Sequence, residues 1–131
     1  MTTEEAALYL KKAWWHLASA RVIAQQGIPE IAAREAYYAA FQAAEALIFQ
    51  RTGKIAKTHK GVHGEFARLV KDDPRIDRAH LSFLSQSYAY KAISDYEVGP
   101  MAQVLPDDAL DTIESAEKFV NCVDTCLREK L

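Results

Sequence analysis

Apolar residues near the start of the chain recur at helical spacing: Leu10, Trp14, Leu17, Ala18 and Val22 fall three and four positions apart, the period of one helix face. Thr2 or Thr3 can cap this first helix, and Gly27 is a natural stop. Pro29 suits the opening turn of a second helix, where its missing N–H costs little, and the pattern runs to about Arg51 before Thr52 and Gly53 end it. Thr58 caps a short third helix over 60–71, which Asp72, Asp73 and Pro74 terminate. A fourth helix is expected from about Arg75 to Glu97, broken by Val98, Gly99 and Pro100. The fifth opens at Pro106, Asp107 and Asp108, whose acids suit the positive end of the helix dipole, and closes on Arg128 and Lys130 at the negative end. No run alternates apolar and polar residues between turn signals. The pattern therefore predicts an all-α protein, an antiparallel up-and-down bundle of about five helices.

The second helix is apolar nearly all round from Ile31 to Phe49, as a helix surrounded by others must be. Glu35, Tyr38, Gln42 and Glu45 break that background at spacings of three, four and three, along one stripe. Burying such groups unpaired costs a few kcal/mol each. The stripe is thus expected to face a polar cleft or a second subunit, the alternative being solvent.

At 131 residues the chain is read as one domain over 1–131, long enough for one core and too short for two. Its composition is that of a globular helical protein, 50% hydrophobic and 26% charged. A net charge of −2 gives no global attraction to nucleic acid or membranes, so any anion binding must come from a local cluster. No leader pattern opens the chain and no apolar run could span a bilayer, so the expected location is cytoplasmic, with no membrane partner. Cys122 and Cys126 lie one turn apart, where a disulfide rarely closes, and read as buried small hydrophobes rather than half of a metal site.

Three short signatures follow one another through the middle of the chain: Arg34 with Tyr37, Tyr38 and Phe41; Thr58, His59, Lys60, Gly61 and Val62 followed by Phe66; and Lys91 followed by Asp95 and Tyr96. In this order and spacing they resemble a HEPN domain, a small helical module often encoded beside minimal nucleotidyltransferases. The resemblance extends to both ends, through Leu8, Leu10, Trp14 and Leu17 and through Ala116, Phe119 and Val120. It implies a helical bundle that works as a dimer. In the ribonucleases of that family an arginine and, a turn or so later, a histidine supply the phosphate fork and the acid or base. Here Lys91 takes the arginine's place and Asp95 stands where the histidine is needed. Lysine lacks the planar fork, and an exposed aspartate is ionised at neutral pH. The resemblance is thus to the non-catalytic branch, and no catalytic residue is assigned. Arg34, Lys91, Asp95 and Tyr96, with the polar stripe, are the candidate cleft or dimer-interface residues. Lys91 and Asp95 have a structural reading too, as an ion pair one turn apart on a helix.

The second candidate is the basic loop before the third helix, where Lys54, Lys57, Thr58, His59 and Lys60, with Arg51 nearby, lead into a helix N-terminus and could seat a phosphate. His59 and His63 are four apart with Glu65 close by, but Lys60, Gly61 and Gly64 spoil the spacing and rigidity of a metal-binding helix, so no metal is assigned. His16 and His80 sit among apolar neighbours and are expected to hydrogen-bond within the bundle. No phosphate-cradling glycine loop, nucleophile elbow or paired Cys-x-x-Cys motif is present, and no cofactor is implied. The functional expectation is a homodimeric interaction or nucleotide-associated module, with a nucleotidyltransferase as partner and weak nucleotide or RNA binding, in a toxin–antitoxin-like or defence setting. The rivals are a ribonuclease with an altered site and an oligomerisation module without ligand.

Overall fold

The computed structural model describes residues 2–96 and 104–129, with the side chains of 92–96 outside that description. Five helices account for most of the described residues: α1 (Glu4–Gln25), α2 (Pro29–Thr52), α3 (His59–Val70), α4 (Arg78–Tyr96) and α5 (Pro106–Arg128). Their ends follow from local chemistry. The Thr3 hydroxyl accepts the Ala6 N–H at 3.2 Å and that of Thr58 accepts the Gly61 N–H at 2.9 Å. Gly27 and Gly53 take φ of 80° and 71°, left-handed turns open to glycine and strained for other residues. Asp108 reaches back to the Leu105 N–H at 3.0 Å and closes the first turn of α5.

One boundary departs from expectation. α4 begins at Arg78 rather than near Arg75, because residues 74–76 turn the chain and Asp77 accepts the His80 N–H at 3.1 Å as the cap. Asp73 has already engaged the Arg75 backbone N–H at 2.9 Å, which holds the chain out of helical register there. The breaker at Val98, Gly99 and Pro100, and Lys130, lie outside the described residues.

Cross-helix contacts set the directions. Thr3, opening α1, donates its N–H to Gln50 near the end of α2, and His16 meets Glu35 in the middle, so these two helices are antiparallel. Gln50 also donates to the Leu127 carbonyl, so α2 and α5 end together. Phe83 packs against Phe119, and Tyr90 shares a cavity wall with Asp108, which makes α4 antiparallel to α5. The four long helices run up, down, up and down, with the short α3 laid against α2 and α4. α2 is the central helix and touches the other four. Its alanines at 32, 33, 36, 39, 40, 43, 44 and 46 are buried, which lets the neighbouring helices approach closely. Phe66, Phe119, Leu17 and Leu47 fill the remaining space.

The α3–α4 turn is tied to the ends of α2 and α5 by a small polar knot. The buried Asp73 carboxylate accepts from Arg75 Nε at 3.0 Å and Nη2 at 2.8 Å, with Arg51 3.8 Å away. Arg75 also donates to the Glu129 carbonyl at 2.7 Å. Cys126 is buried and Cys122 half-buried, both are free thiols, and Cys122 donates to the Arg75 carbonyl. Burial pushes both thiols up, Cys126 to about 11, so neither is poised to react.

Candidate functional site

Tyr37 is the one large polar side chain that α2 buries completely, and its hydroxyl is met by two imidazoles. His59 is the first residue of α3, placed there by the Thr58 cap, and His63 follows one turn later on the same face. The Tyr37 hydroxyl lies 2.7 Å from His59 Nδ1 and 2.9 Å from His63 Nε2. α4 closes the group: Tyr88 stacks on His59 with centroids 5.1 Å apart and meets His63 edge-on at 5.5 Å. Phe41, one turn beyond Tyr37, lies 4.5 Å from His59. The sequence expectation placed His59 in a phosphate-binding loop; the fold turns its ring toward Tyr37 instead.

The proton count constrains the group. A phenol has one proton, so Tyr37 donates to one imidazole and accepts an N–H from the other. Burial, then the neighbouring Tyr88 and Tyr38, push the Tyr37 phenol well above its ordinary range, so it stays protonated. Burial, then His59, push His63 below the usual histidine value, favouring the neutral ring. The cluster can pass a proton between two imidazoles through one hydroxyl, but its inward-facing nitrogens are already in use.

Around this centre the rings continue across α2 to α1. Tyr38 lies 5.6 Å from His16, whose Nδ1 is 2.9 Å from Glu35 Oε1, and exposed Trp15 meets His16 edge-on. Arg34 is half-buried with Nε 3.9 Å from Glu35, and Lys91 is half-buried on α4. Arg34, Glu35 and Tyr38 thus share one neighbourhood with the Tyr37 cluster. Gln42 is half-buried, whereas Glu45 is turned into the bundle beside Tyr9, and burial raises its carboxyl above the ordinary range. The side chains of Asp95 and Tyr96 lie outside the described residues.

The basic loop keeps its lysines at the surface. Lys54, Lys57 and Lys60 are exposed, and the Thr58 hydroxyl is taken up by the Gly61 N–H. Arg51 turns away to the Leu69 carbonyl and Asp73. Lys54 lines a groove of about 470 Å³ with Ile55, Gly61 and Glu65. Glu65 pairs with Arg68 rather than approaching the histidines, and among the described residues no group of three metal-ligating side chains converges. His80 sits 4.0 Å from Asp77 and edge-on to Phe119.

The link from Tyr37 to both histidines, and the place of Tyr88 within it, are the features that sequence reasoning missed. The signal was there: a tyrosine at a fully buried phase of an alanine-rich helix needs hydrogen-bond partners, and two histidines four apart can converge on one point.

The HEPN domain profile matches residues 6–128. With the bundle described above, that match covers nearly the whole chain, and the chain belongs to the HEPN domain family. No curated protein matches it. None of the described helices is long and apolar enough to cross a membrane.

Proposed function

We propose that this HEPN domain acts as a non-catalytic interaction module, homodimeric and partnered with a minimal nucleotidyltransferase, in a toxin–antitoxin-like or defence setting. The observation that supports this reading best is the commitment of His59 and His63 to Tyr37. With Lys91 and Asp95 standing where the family's ribonucleases carry arginine and histidine, an RNA-cleaving site would need one of these imidazoles, and both are built into the fold. Half-buried Arg34 and Tyr38 beside the cluster, and half-buried Lys91 one turn beyond Tyr88 on α4, give this side of the bundle a mixed aromatic and basic character suited to recognition. Weak, salt-dependent contact with nucleotides or RNA falls to exposed Lys54, Lys57 and Lys60, whose charges bulk ions screen.

The test is a pull-down of the tagged chain from its native host, together with incubation of the purified protein and single-stranded RNA in the presence of a chelator. Recovery of a nucleotidyltransferase and intact RNA are expected. RNA cleavage that disappears in His63→Ala or Lys91→Ala would overturn the reading in favour of a ribonuclease with an altered site.

A further inference from the structure

Where α2 hands over to α3, the surface holds an apolar hollow with a positively charged rim. The hollow, about 470 Å³, lies among Ile48, Ile55, Ala56 and Gly61, with Thr52, Lys54 and Glu65 completing the wall. Its polar groups are largely spent on the chain itself. The Thr52 hydroxyl donates to the Ile48 carbonyl at 2.8 Å and accepts the Lys54 N–H at 3.1 Å, and Glu65 pairs with Arg68. Ile55 remains 51% exposed, in a loop otherwise made of cations and small polar residues. The rim is cationic: Lys54 stands in the wall, Lys57 follows Ala56 and Lys60 precedes Gly61 in the chain, and all three are exposed. No carboxylate of the described residues pairs with any of them. Glu65 is the one acid in the wall, and Arg68 offsets it. The positive end of the α3 dipole adds to the same field.

We infer that this hollow docks an acidic protein segment, one rich in Asp and Glu that carries a leucine or another aliphatic side chain as its anchor. The anchor fills the hollow against Ile48 and Ile55, and the flanking carboxylates meet Lys54, Lys57 and Lys60. The two features choose the occupant together. A neutral or basic segment could fill the hollow, but it would give up the attraction of the rim or meet like charge there. Nucleic acid would satisfy the lysines, yet it would leave Ile55 and the hollow uncovered, and the lining offers no aromatic ring on which a base could stack. The inference goes beyond the weak nucleotide or RNA contact proposed for the same lysines. That contact needs their charge alone and gives Ile55 no role.

Two synthetic acidic peptides, alike except for a central leucine or serine, separate the anchor from the charge when titrated into the full chain and followed by NMR. The leucine peptide should bind about tenfold more tightly, the worth of burying one aliphatic side chain. It should also shift the amide signals of Ile55, Ala56 and Gly61. Ile55→Ser, at an exposed position, should remove most of the leucine peptide's advantage while keeping the circular dichroism of the parent. Lys54→Glu with Lys57→Glu should weaken both peptides several-fold, more at low salt than at high. Equal affinity of the two peptides overturns the proposal, as does a leucine peptide that fails to bind up to about 1 mM. A single-stranded oligonucleotide supplies the last arm. Ile55→Ser should leave its binding unchanged, and a loss as large as that of the leucine peptide would give the hollow to nucleic acid instead.

Discussion

The Tyr37 hydroxyl stands 2.7 Å from His59 Nδ1, and it ties the first turn of α3 to a fully buried position of the central helix. α3 is short and meets α4 only lightly, so its position depends on its buried Val62, Phe66 and Val70 and on this polar tie. The ring stack of His59 on Tyr88 extends the tie to α4.

Tyr37→Phe removes one hydroxyl and strands two imidazole nitrogens in a half-buried site. Losing the partner of a buried polar group costs about 1–3 kcal/mol. In a domain of this size that is a fall in Tm of roughly 4–12 °C. Differential scanning calorimetry of parent and variant at pH 7 measures the difference.

The same cluster should make the protein lose stability in mild acid. His63 is held below the ordinary value of 6.5, so the unfolded chain takes up its proton first as the pH falls. Stability is therefore full above about pH 6.5, declines below it, and stops declining from this source once His63 is also protonated in the fold. His63→Gln, which keeps a hydrogen-bonding side chain without the titration, should flatten urea-derived stability across that interval. A variant with the parent's slope would mean that another group governs it.

Asp73 has the opposite chemistry and a different pH window. Its hydrogen bonds from Arg75 hold the carboxyl below the ordinary 3.8, despite burial, with Arg51 adding a smaller pull. This contribution is complete above the unfolded value and disappears as the pH falls through the lowered one. Asp73→Asn should cost about 1–3 kcal/mol at pH 7 by breaking the knot that joins the α3–α4 turn to α2 and α5. The deficit relative to the parent should shrink in strong acid, which equilibrium unfolding at pH 7 and near pH 3 can read.

The helices were legible because their ends are spelled out locally: Thr3, Gly27, Pro29, Gly53, Thr58 and Pro106 each impose a conformation that the neighbouring sequence cannot override. α4 was placed three residues early because Asp77 reads as one more polar residue until its side chain is seen capping His80. The site was legible only in part. Tyr37, His59 and His63 could each be singled out, but their meeting depends on the rotation of α3 against α2, which no periodicity along either helix encodes. Arg51 shows the limit from the other side: it reads as part of a basic loop, yet the fold sends it to Asp73, twenty-two positions away.

Glu45 tests whether the polar stripe on α2 is kept for folding or in spite of it. Its side chain is only 4% exposed, beside Tyr9 of α1, and burial raises its carboxyl above the ordinary 4.5. A carboxyl raised in this way favours the fold when protonated, and that advantage is lost as the pH rises past the unfolded value. At neutral pH the ionised group therefore costs stability. Glu45→Gln, with the same shape and no charge, should raise stability at pH 7 by on the order of 1 kcal/mol, and the gain should vanish near pH 4. Tm measured for parent and variant at both pH values decides the matter. If the glutamine variant is less stable at pH 7, the carboxylate makes a favourable contact in the bundle that outweighs its burial, and the stripe has a structural role at this position.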